Sequence, residues 1–264
     1  MLNNKLDTYF DSHCHLDFNE FDHNRSQVLA NCERLRVSSI FVPGISESGW
    51  QRQLAIIEQQ MTNVSLHYGF GLHPYFLNEH DSNALECLET MLATHQPLAV
   101  GEIGLDFMLD ENGFDKQYRL LQKQLVIAKI AQLPVVLHIR KAYDQVLKLL
   151  RQVKLKEGGI VHAFAGSEQQ AKHFIELGFK LGFGGAVTYT RASKLRKLVT
   201  CLSLENIVLE TDAPDMLPSF VKTGCNSPEN IPKIAEIIAG LREIDVGSLT
   251  KQTTQNTKQA FNIK

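Results

Sequence analysis

Eight short apolar or β-branched runs recur along the chain, and they alternate with segments of helical periodicity. The runs are TYFDSH (8–13), VSSIFVPG (37–44), VSLHYGFGLHP (64–74), LAVGEIGLD (98–106), LPVVLHIR (133–140), GGIVHAFAG (158–166), FKLGFGG (179–185) and NIVLETDAP (206–214). Strands that alternate with helices imply right-handed crossovers and a parallel sheet. Eight such units predict an α/β fold, specifically a closed (β/α)8 TIM barrel, and an open doubly wound sheet is the alternative.

The length of 264 residues suits one barrel, because barrels of about 250 residues fold as one unit. No long Pro-, Ser- or Gly-rich linker divides the chain, so we predict a single domain over residues 1–264. Residues 115–132 can form a helix with one apolar stripe. Residues 227–243 carry Pro where a first helical turn tolerates it, which predicts the last barrel helix, and a further helix is expected to close the C-terminus.

Composition and charge restrict the compartment and the partners. The net charge of −2 offers no global attraction to polyanions, so any nucleic acid must meet a local basic patch. Five scattered cysteines without CxxC spacing indicate reduced thiols and a cytoplasmic location. We expect a soluble, unexported protein with no membrane contact, since the sequence has neither an apolar signal core nor a membrane span. No obligate protein partner is indicated.

Metal-ligating residue types follow the apolar parts of five runs. His13 and His15 lie two apart after the first run, so both side chains can point to one side of the strand. The other four residues come after the apolar parts of runs four, five, six and eight: Glu102, His138, His162 and Asp212. Because the carboxyl ends of barrel strands meet on one face, we predict a metal site there.

The six predicted ligands exceed the needs of one tetrahedral ion. We therefore expect two divalent metal ions that share one carboxylate, and Glu102, midway in strand order, is the natural bridge. The metal could be zinc or manganese, which imidazole favours, or magnesium, which phosphodiester chemistry often uses.

Four further residues are candidates for substrate binding. His73, near the end of the third run, is expected either to contact substrate or to serve the structure. Arg140, Thr188 and Arg191 lie where loops could supply donors to a phosphate, and a plain surface charge is the alternative for both arginines. The basic run 191–197 fits backbone phosphates as well as a solvated helix face.

Two carboxylates stand close to predicted ligands in the sequence. Glu210 precedes Asp212 by two positions, so it could orient a ligand histidine from behind or form a salt bridge deeper in the barrel. Asp106, which ends the fourth run, could cap a helix or contact a ligand, and capping is the favoured interpretation.

The ordered set DSHCHLD, GLHP, VGEIGLD, LHIR, VHAFAG, GFGGAVTY and ETDAP resembles the TatD family of metal-dependent deoxyribonucleases, within the amidohydrolase-like barrels. The resemblance implies a first metal held by His13, His15, Glu102 and Asp212, and a second held by Glu102, His138 and His162. The chain departs from the family at Cys225, where many members carry a basic residue before Asn-x-Pro.

The resemblance implies hydrolysis of phosphodiesters at DNA ends, as in a 3'-5' deoxyribonuclease whose substrate is single-stranded DNA or a DNA end. In the mechanism we expect, a metal-activated water attacks phosphorus while Asp212 accepts its proton. A metal pair also polarises carbonyls, so hydrolysis of a small amide, lactone or ester is the rival hypothesis. A metal-binding scaffold without turnover is the third.

Overall fold

The computed structural model describes residues 7–59 and 62–263, and within them eight strands and nine α-helices alternate. The strands are β1 (Tyr9–Asp11), β2 (Val37–Pro43), β3 (Ser65–Phe70), β4 (Ala99–Asp106), β5 (Val135–Arg140), β6 (Gly159–Val161), β7 (Phe179–Phe183) and β8 (Ile207–Leu209). The helices are α1 (Arg25–Arg34), α2 (Glu47–Glu58), α3 (Ala84–His95), α4 (Phe114–Ala131), α5 (Tyr143–Val153), α6 (Glu168–Glu176), α7 (Ser193–Cys201), α8 (Ile231–Arg242) and α9 (Val246–Ala260).

The strands form one parallel sheet in the order β1 to β8, each paired with the next in sequence. Backbone hydrogen bonds join the ends of this sheet, because Ser12 N donates to Leu209 O at 2.9 Å and Asp212 N donates to His13 O at 2.8 Å. The sheet is therefore a nearly closed (β/α)8 barrel, which confirms the predicted fold and excludes the doubly wound alternative. The two predicted C-terminal helices are α8 and α9.

Six strands contribute inward-pointing apolar side chains to a separate core cluster inside the barrel. Its members are Phe10, Phe41, Ala99, Val136, Ile160 and Val208, and the C-terminal Phe261 packs beneath them. Side chains alternate between the two faces of a strand, so a residue two positions later points inward as well. This alternation aims His138, His162 and Glu210 into the barrel above the apolar cluster.

The fourth and fifth runs end where β4 and β5 end, at Asp106 and Arg140. Glu102 and His138, which follow the apolar parts of these runs, therefore lie inside the strands and not at their ends. The register between β4 and β5 shifts between Val100 and Ile103, so Glu102 sits at an irregularity inside the strand. Such irregularities redirect side chains, and this one lets Glu102 face the barrel axis. No helix in the described part of the chain is long and apolar enough to cross a bilayer.

Candidate metal centre

One oxygen of the buried Glu102 carboxylate faces the two histidines that follow β1. Glu102 Oε2 lies 3.2 Å from His13 Nε2 and 3.6 Å from His15 Nε2. Asp212 Oδ1 completes this group at 3.5 Å from His13 Nε2 and 3.7 Å from His15 Nε2. The two imidazole nitrogens are themselves 3.3 Å apart. Four ligand-type atoms thus converge from β1, β4 and the segment after β8.

The second oxygen of Glu102 faces a different set of imidazoles. Glu102 Oε1 lies 3.0 Å from His162 Nε2, 3.1 Å from His138 Nδ1 and 3.4 Å from His73 Nε2. The two oxygens of one carboxylate therefore stand between two groups of nitrogens. His73, expected to contact substrate or to be structural, belongs to the second group by distance.

The donor set fits divalent cations. His13 Nε2 approaches three acceptors or lone pairs, on His15, Glu102 and Asp212, but a single N–H proton can satisfy only one of them. Imidazole nitrogens and carboxylate oxygens are the ligand types of zinc and manganese. Sets of three mutually close ligand atoms occur among these residues, including His13 with His15 and Asp212, and His73 with Glu102 and His138.

Backbone contacts fix the carboxylates of this centre. Glu102 N donates to Gly44 O at 2.8 Å, which ties the irregular part of β4 to the end of β2. Asp212 adopts a left-handed backbone conformation with φ of 55°, which Asp tolerates better than most residues. Its backbone N–H donates a hydrogen bond to His13 O. The local backbone therefore determines where both carboxylates point.

Asp106 orients His138 from the side opposite Glu102. Asp106 Oδ2 lies 3.2 Å from His138 Nε2, and its Oδ1 accepts from Met108 N at 2.8 Å. Gln117 on α4 holds the backbone of Asp106 through a pair of amide hydrogen bonds, of 2.9 and 3.1 Å. Met108 lies in a turn and α4 begins only at Phe114, so Asp106 caps no helix among the described elements. The capping interpretation is therefore wrong, and this carboxylate contacts a candidate ligand instead.

Glu210 lies behind His162 inside the barrel. Its Oε1 is 3.8 Å from His162 Nδ1 and accepts from Ala163 N at 2.6 Å, whereas Oε2 is buried without a hydrogen-bond partner among the described residues. A Cβ on Gly182 would lie 2.1 Å from that oxygen, so glycine there makes room for the carboxylate. At 3.8 Å the carboxylate lies next to His162 Nδ1 without a hydrogen bond to it, so the expected orienting role stays a prediction.

Sequence reasoning missed two further buried polar residues that support the centre, Asp11 and Gln124. Asp11 binds Thr211 through backbone and side chain, with Thr211 N donating to Oδ1 at 2.9 Å, and so joins the ends of β1 and β8. Gln124 on α4 forms paired amide hydrogen bonds with the backbone of Leu72 at 2.8 and 3.0 Å, next to His73. The one sequence pattern that could have indicated Asp11 and Gln124 is a polar residue within an otherwise apolar stretch.

The charges of the centre are strongly coupled. Burial alone would raise the pKa of Glu102, but the imidazoles of His162 and His73 outweigh burial and hold that pKa well below its usual range. Burial would lower the pKa of His162, yet the carboxylates of Glu102 and Asp212 raise it to about 10. Burial raises the pKa of Asp212 to about 7. Without metal, the centre therefore holds protons that a divalent cation would displace.

A cavity of about 990 Å³ opens above the centre and is lined by His15, Glu102 and Asp212, among others. Arg140 lies on its wall with a side chain that is 62% exposed.

Two residues that were expected to donate to a phosphate do not line this cavity. The Thr188 hydroxyl donates to Gly185 O and accepts from Ser219 N, so it is used within its own loop. Arg191 is exposed and lies over the Tyr189 ring at 4.8 Å. The structure therefore contradicts the expectation that Thr188 and Arg191 contact a phosphate in this cavity.

Comparisons with known proteins agree on one family. The model of the family described as TatD related DNase matches residues 10–262. The uncharacterized metal-dependent hydrolase YjjV of Escherichia coli K12 is 37% identical over 257 residues, which cover 97% of this chain and 98% of YjjV. The crystal structure of YjjV matches with a TM-score of 0.91 over 97% of this chain and 98% of that one.

A relative with a more specific name is more distant. The 3'-5' ssDNA/RNA exonuclease TatD of Erwinia tasmaniensis is 28% identical over 261 residues, which cover 96% of this chain and 100% of that protein. The family match and the YjjV comparison both span nearly the whole chain. The chain therefore belongs to the TatD related DNase family and is a metal-dependent hydrolase of that family.

Proposed function

We propose that this protein is a dinuclear metal phosphodiesterase that removes nucleotides from the 3' end of single-stranded DNA. The observation that carries the proposal is the arrangement around Glu102, whose two oxygens face separate groups of imidazole nitrogens. Two bound ions with a shared carboxylate suit the in-line displacement at phosphorus, because they can stabilise both the attacking and the leaving oxygen.

We assign the ligands by these distances. The first ion would be held by His13, His15, Glu102 and Asp212, and the second by Glu102, His138 and His162. His73 is assigned to neither ion, because its Nδ1 accepts from Tyr75 N at 3.0 Å, so the ring proton lies on Nε2 and can be donated to Glu102 Oε1 at 3.4 Å. Zinc, manganese and magnesium are the candidate metals.

Asp212 is the proposed general base. Its side chain is 13% exposed and lines the cavity, so one carboxylate can meet both the ligand group and a water at the substrate side. A base must lie within hydrogen-bond reach of the proton that it accepts. Asp106 acts through His138, whose ring it orients by a hydrogen bond, and Glu210 is the proposed charge partner of His162 at 3.8 Å.

Nucleic acid is favoured over a small amide, lactone or ester by the cavity wall and by one relative. Arg140 and Lys141 present exposed cationic side chains to the cavity, where phosphates of a strand would need them. The Erwinia relative is named a ssDNA/RNA exonuclease, at 28% identity. A neutral amide or lactone would use neither cation.

The test is hydrolysis of 5'-labelled single-stranded and duplex DNA with magnesium, manganese or zinc, beside a panel of amides and lactones. We expect stepwise shortening from the 3' end of the single strand. Asp212→Asn should lower kcat by at least about 100-fold, in line with the loss of a general base. Asp115→Asn, an exposed carboxylate on α4, is the matched control and should keep full activity.

Full activity in Asp212→Asn would refute the assigned base. Turnover of a lactone or amide with no cleavage of any phosphodiester would refute the nuclease proposal. Metal binding without turnover of any substrate would favour the scaffold hypothesis.

A further inference from the structure

An exposed aromatic side chain stands on the cavity wall, and the proposed chemistry at the metals does not use it. Tyr75 lines the cavity with 65% of its surface exposed, and within the described residues its hydroxyl has no hydrogen-bond partner. Phe76 supports it, with ring centroids 5.2 Å apart and planes at 72°. An exposed Tyr offers an apolar ring face together with a polar hydroxyl, and side chains of this kind are enriched at interfaces.

The backbone of Tyr75 is anchored to the metal centre. His73 Nδ1 accepts from Tyr75 N at 3.0 Å, while His73 Nε2 lies 3.4 Å from Glu102 Oε1. Pro74 fixes the short turn between them, since its ring restricts φ. His73 thus links the backbone of Tyr75 to the Glu102 carboxylate.

Two cations face the same cavity from the end of β5, Arg140 as its last residue and Lys141 just after it. Arg140 comes two residues after His138, and its Nη1 is 3.9 Å from Asp106 Oδ2, too long for a hydrogen bond. Lys141 is exposed and forms no ion pair within residues 7–59 and 62–263. Tyr75 follows His73 closely in the chain, and the two cations follow His138. The rings of His73 and His138 lie 4.4 Å apart, so the two segments start next to each other.

An aromatic platform and a pair of cations are the two elements with which proteins bind single strands. Stacking uses the face that every base offers, and cations follow the backbone phosphates. The cavity volume of about 990 Å³ is at the upper end of about 300–1,000 Å³ for small-ligand pockets, which leaves room beyond the scissile group. A paired base would have to leave its duplex before it could stack inside this cavity.

We infer that Tyr75 is the platform on which the 3'-terminal nucleobase of an unpaired strand stacks, with Arg140 and Lys141 contacting the adjoining backbone phosphates. This inference rests on the proposed function and adds a substrate requirement to it. Tyr75 is then a specificity-determining residue that selects an unpaired nucleotide over a base-free phosphodiester.

The experiment compares two single-stranded oligonucleotides, one with an ordinary 3'-terminal nucleotide and one with a base-free tetrahydrofuran residue there. Wild type, Tyr75→Ala and Tyr75→Phe are assayed for removal of the terminal unit. Ile130→Ala, an exposed apolar residue on α4, is the control for loss of exposed surface.

For Tyr75→Ala we expect kcat/KM to fall by about 5- to 100-fold on the ordinary end, the range of one base–aromatic stack. On the base-free end we expect no fall, and Tyr75→Phe should stay close to wild type on both. An equal fall on both ends, or no fall on either, would overturn the inference while leaving the nuclease proposal intact. If wild type cleaves neither oligonucleotide, the proposed function is refuted, and the inference with it.

Discussion

Substitution of Asp106 by Asn isolates one contact behind a proposed ligand. The carboxylate uses one oxygen for Met108 N at 2.8 Å and the other for His138 Nε2 at 3.2 Å. An Asn side chain has only one oxygen, so keeping the bond to Met108 turns its NH₂ group toward the N–H of His138. The variant therefore keeps the volume and the local turn but loses the hydrogen bond that orients the imidazole.

The expected magnitude follows from that geometry. A hydrogen bond to a charged group contributes about 1.5–3 kcal/mol, and loss of a partner behind a metal ligand costs about 10- to 100-fold in metal affinity or activity. The two ranges agree, because 1.36 kcal/mol corresponds to a factor of about ten. We expect the dissociation constant for manganese or zinc to rise about 10- to 100-fold in Asp106→Asn.

Calorimetric titration of metal-free protein measures the affinity directly, and urea unfolding of the same samples shows whether the fold is retained. Asp115→Asn, exposed on α4, is the matched control and should bind metal as wild type does. An affinity in Asp106→Asn that equals that of wild type would refute the role assigned to this carboxylate. So would a loss explained entirely by unfolding.

Three further predictions concern packing, substrate charge and pH. Gly104→Ala should destabilise the protein by at least about 3 kcal/mol in urea unfolding, because its Cβ would lie 1.8 Å from His138 O; a cost below about 1 kcal/mol would contradict this packing. Lys141→Gln should reduce the magnitude of the negative slope of log kcat/KM against log salt on single-stranded DNA by about 0.7, whereas the control Lys148→Gln, exposed on α5, should leave it unchanged. Burial raises the pKa of Asp11 to about 7 and of Glu210 to about 8, so the folded chain keeps protons that unfolded carboxyls release near pH 4. The free energy of unfolding of metal-free protein should therefore fall between pH 6.5 and 8, and a rise over that window would show these carboxyls ionised.

The barrel could be predicted because its signal is repeated and local. Each apolar run contains one strand. The alternation of side chains between the two faces of a strand also predicts which way the residues just after the apolar part point. Val136 and Ile160 point inward, so His138 and His162, two positions later, do so as well. A sequence pattern of period two was therefore enough to bring these histidines to one centre.

The details of the centre depend on tertiary contacts that a local pattern does not encode. Glu102 faces inward only because the register shifts inside β4, and Gly44 holds its backbone there. His73 was expected to contact substrate or to serve the structure, but the folded barrel brings its ring within 4.4 Å of the His138 ring and its Nε2 within 3.4 Å of Glu102 Oε1. Thr188 was expected to bind phosphate, but in the folded loop its hydroxyl donates a hydrogen bond to Gly185 O. A local sequence pattern does not reveal that contact.

The most direct test of the central claim is the number of metal ions bound per chain. Protein dialysed against manganese or zinc is analysed for metal content, for wild type and for Glu102→Gln. Because one carboxylate faces both groups of imidazoles, we expect two ions per chain in wild type and fewer than one in the variant. A single ion in wild type, or two ions retained without the Glu102 carboxylate, would contradict the shared dinuclear centre.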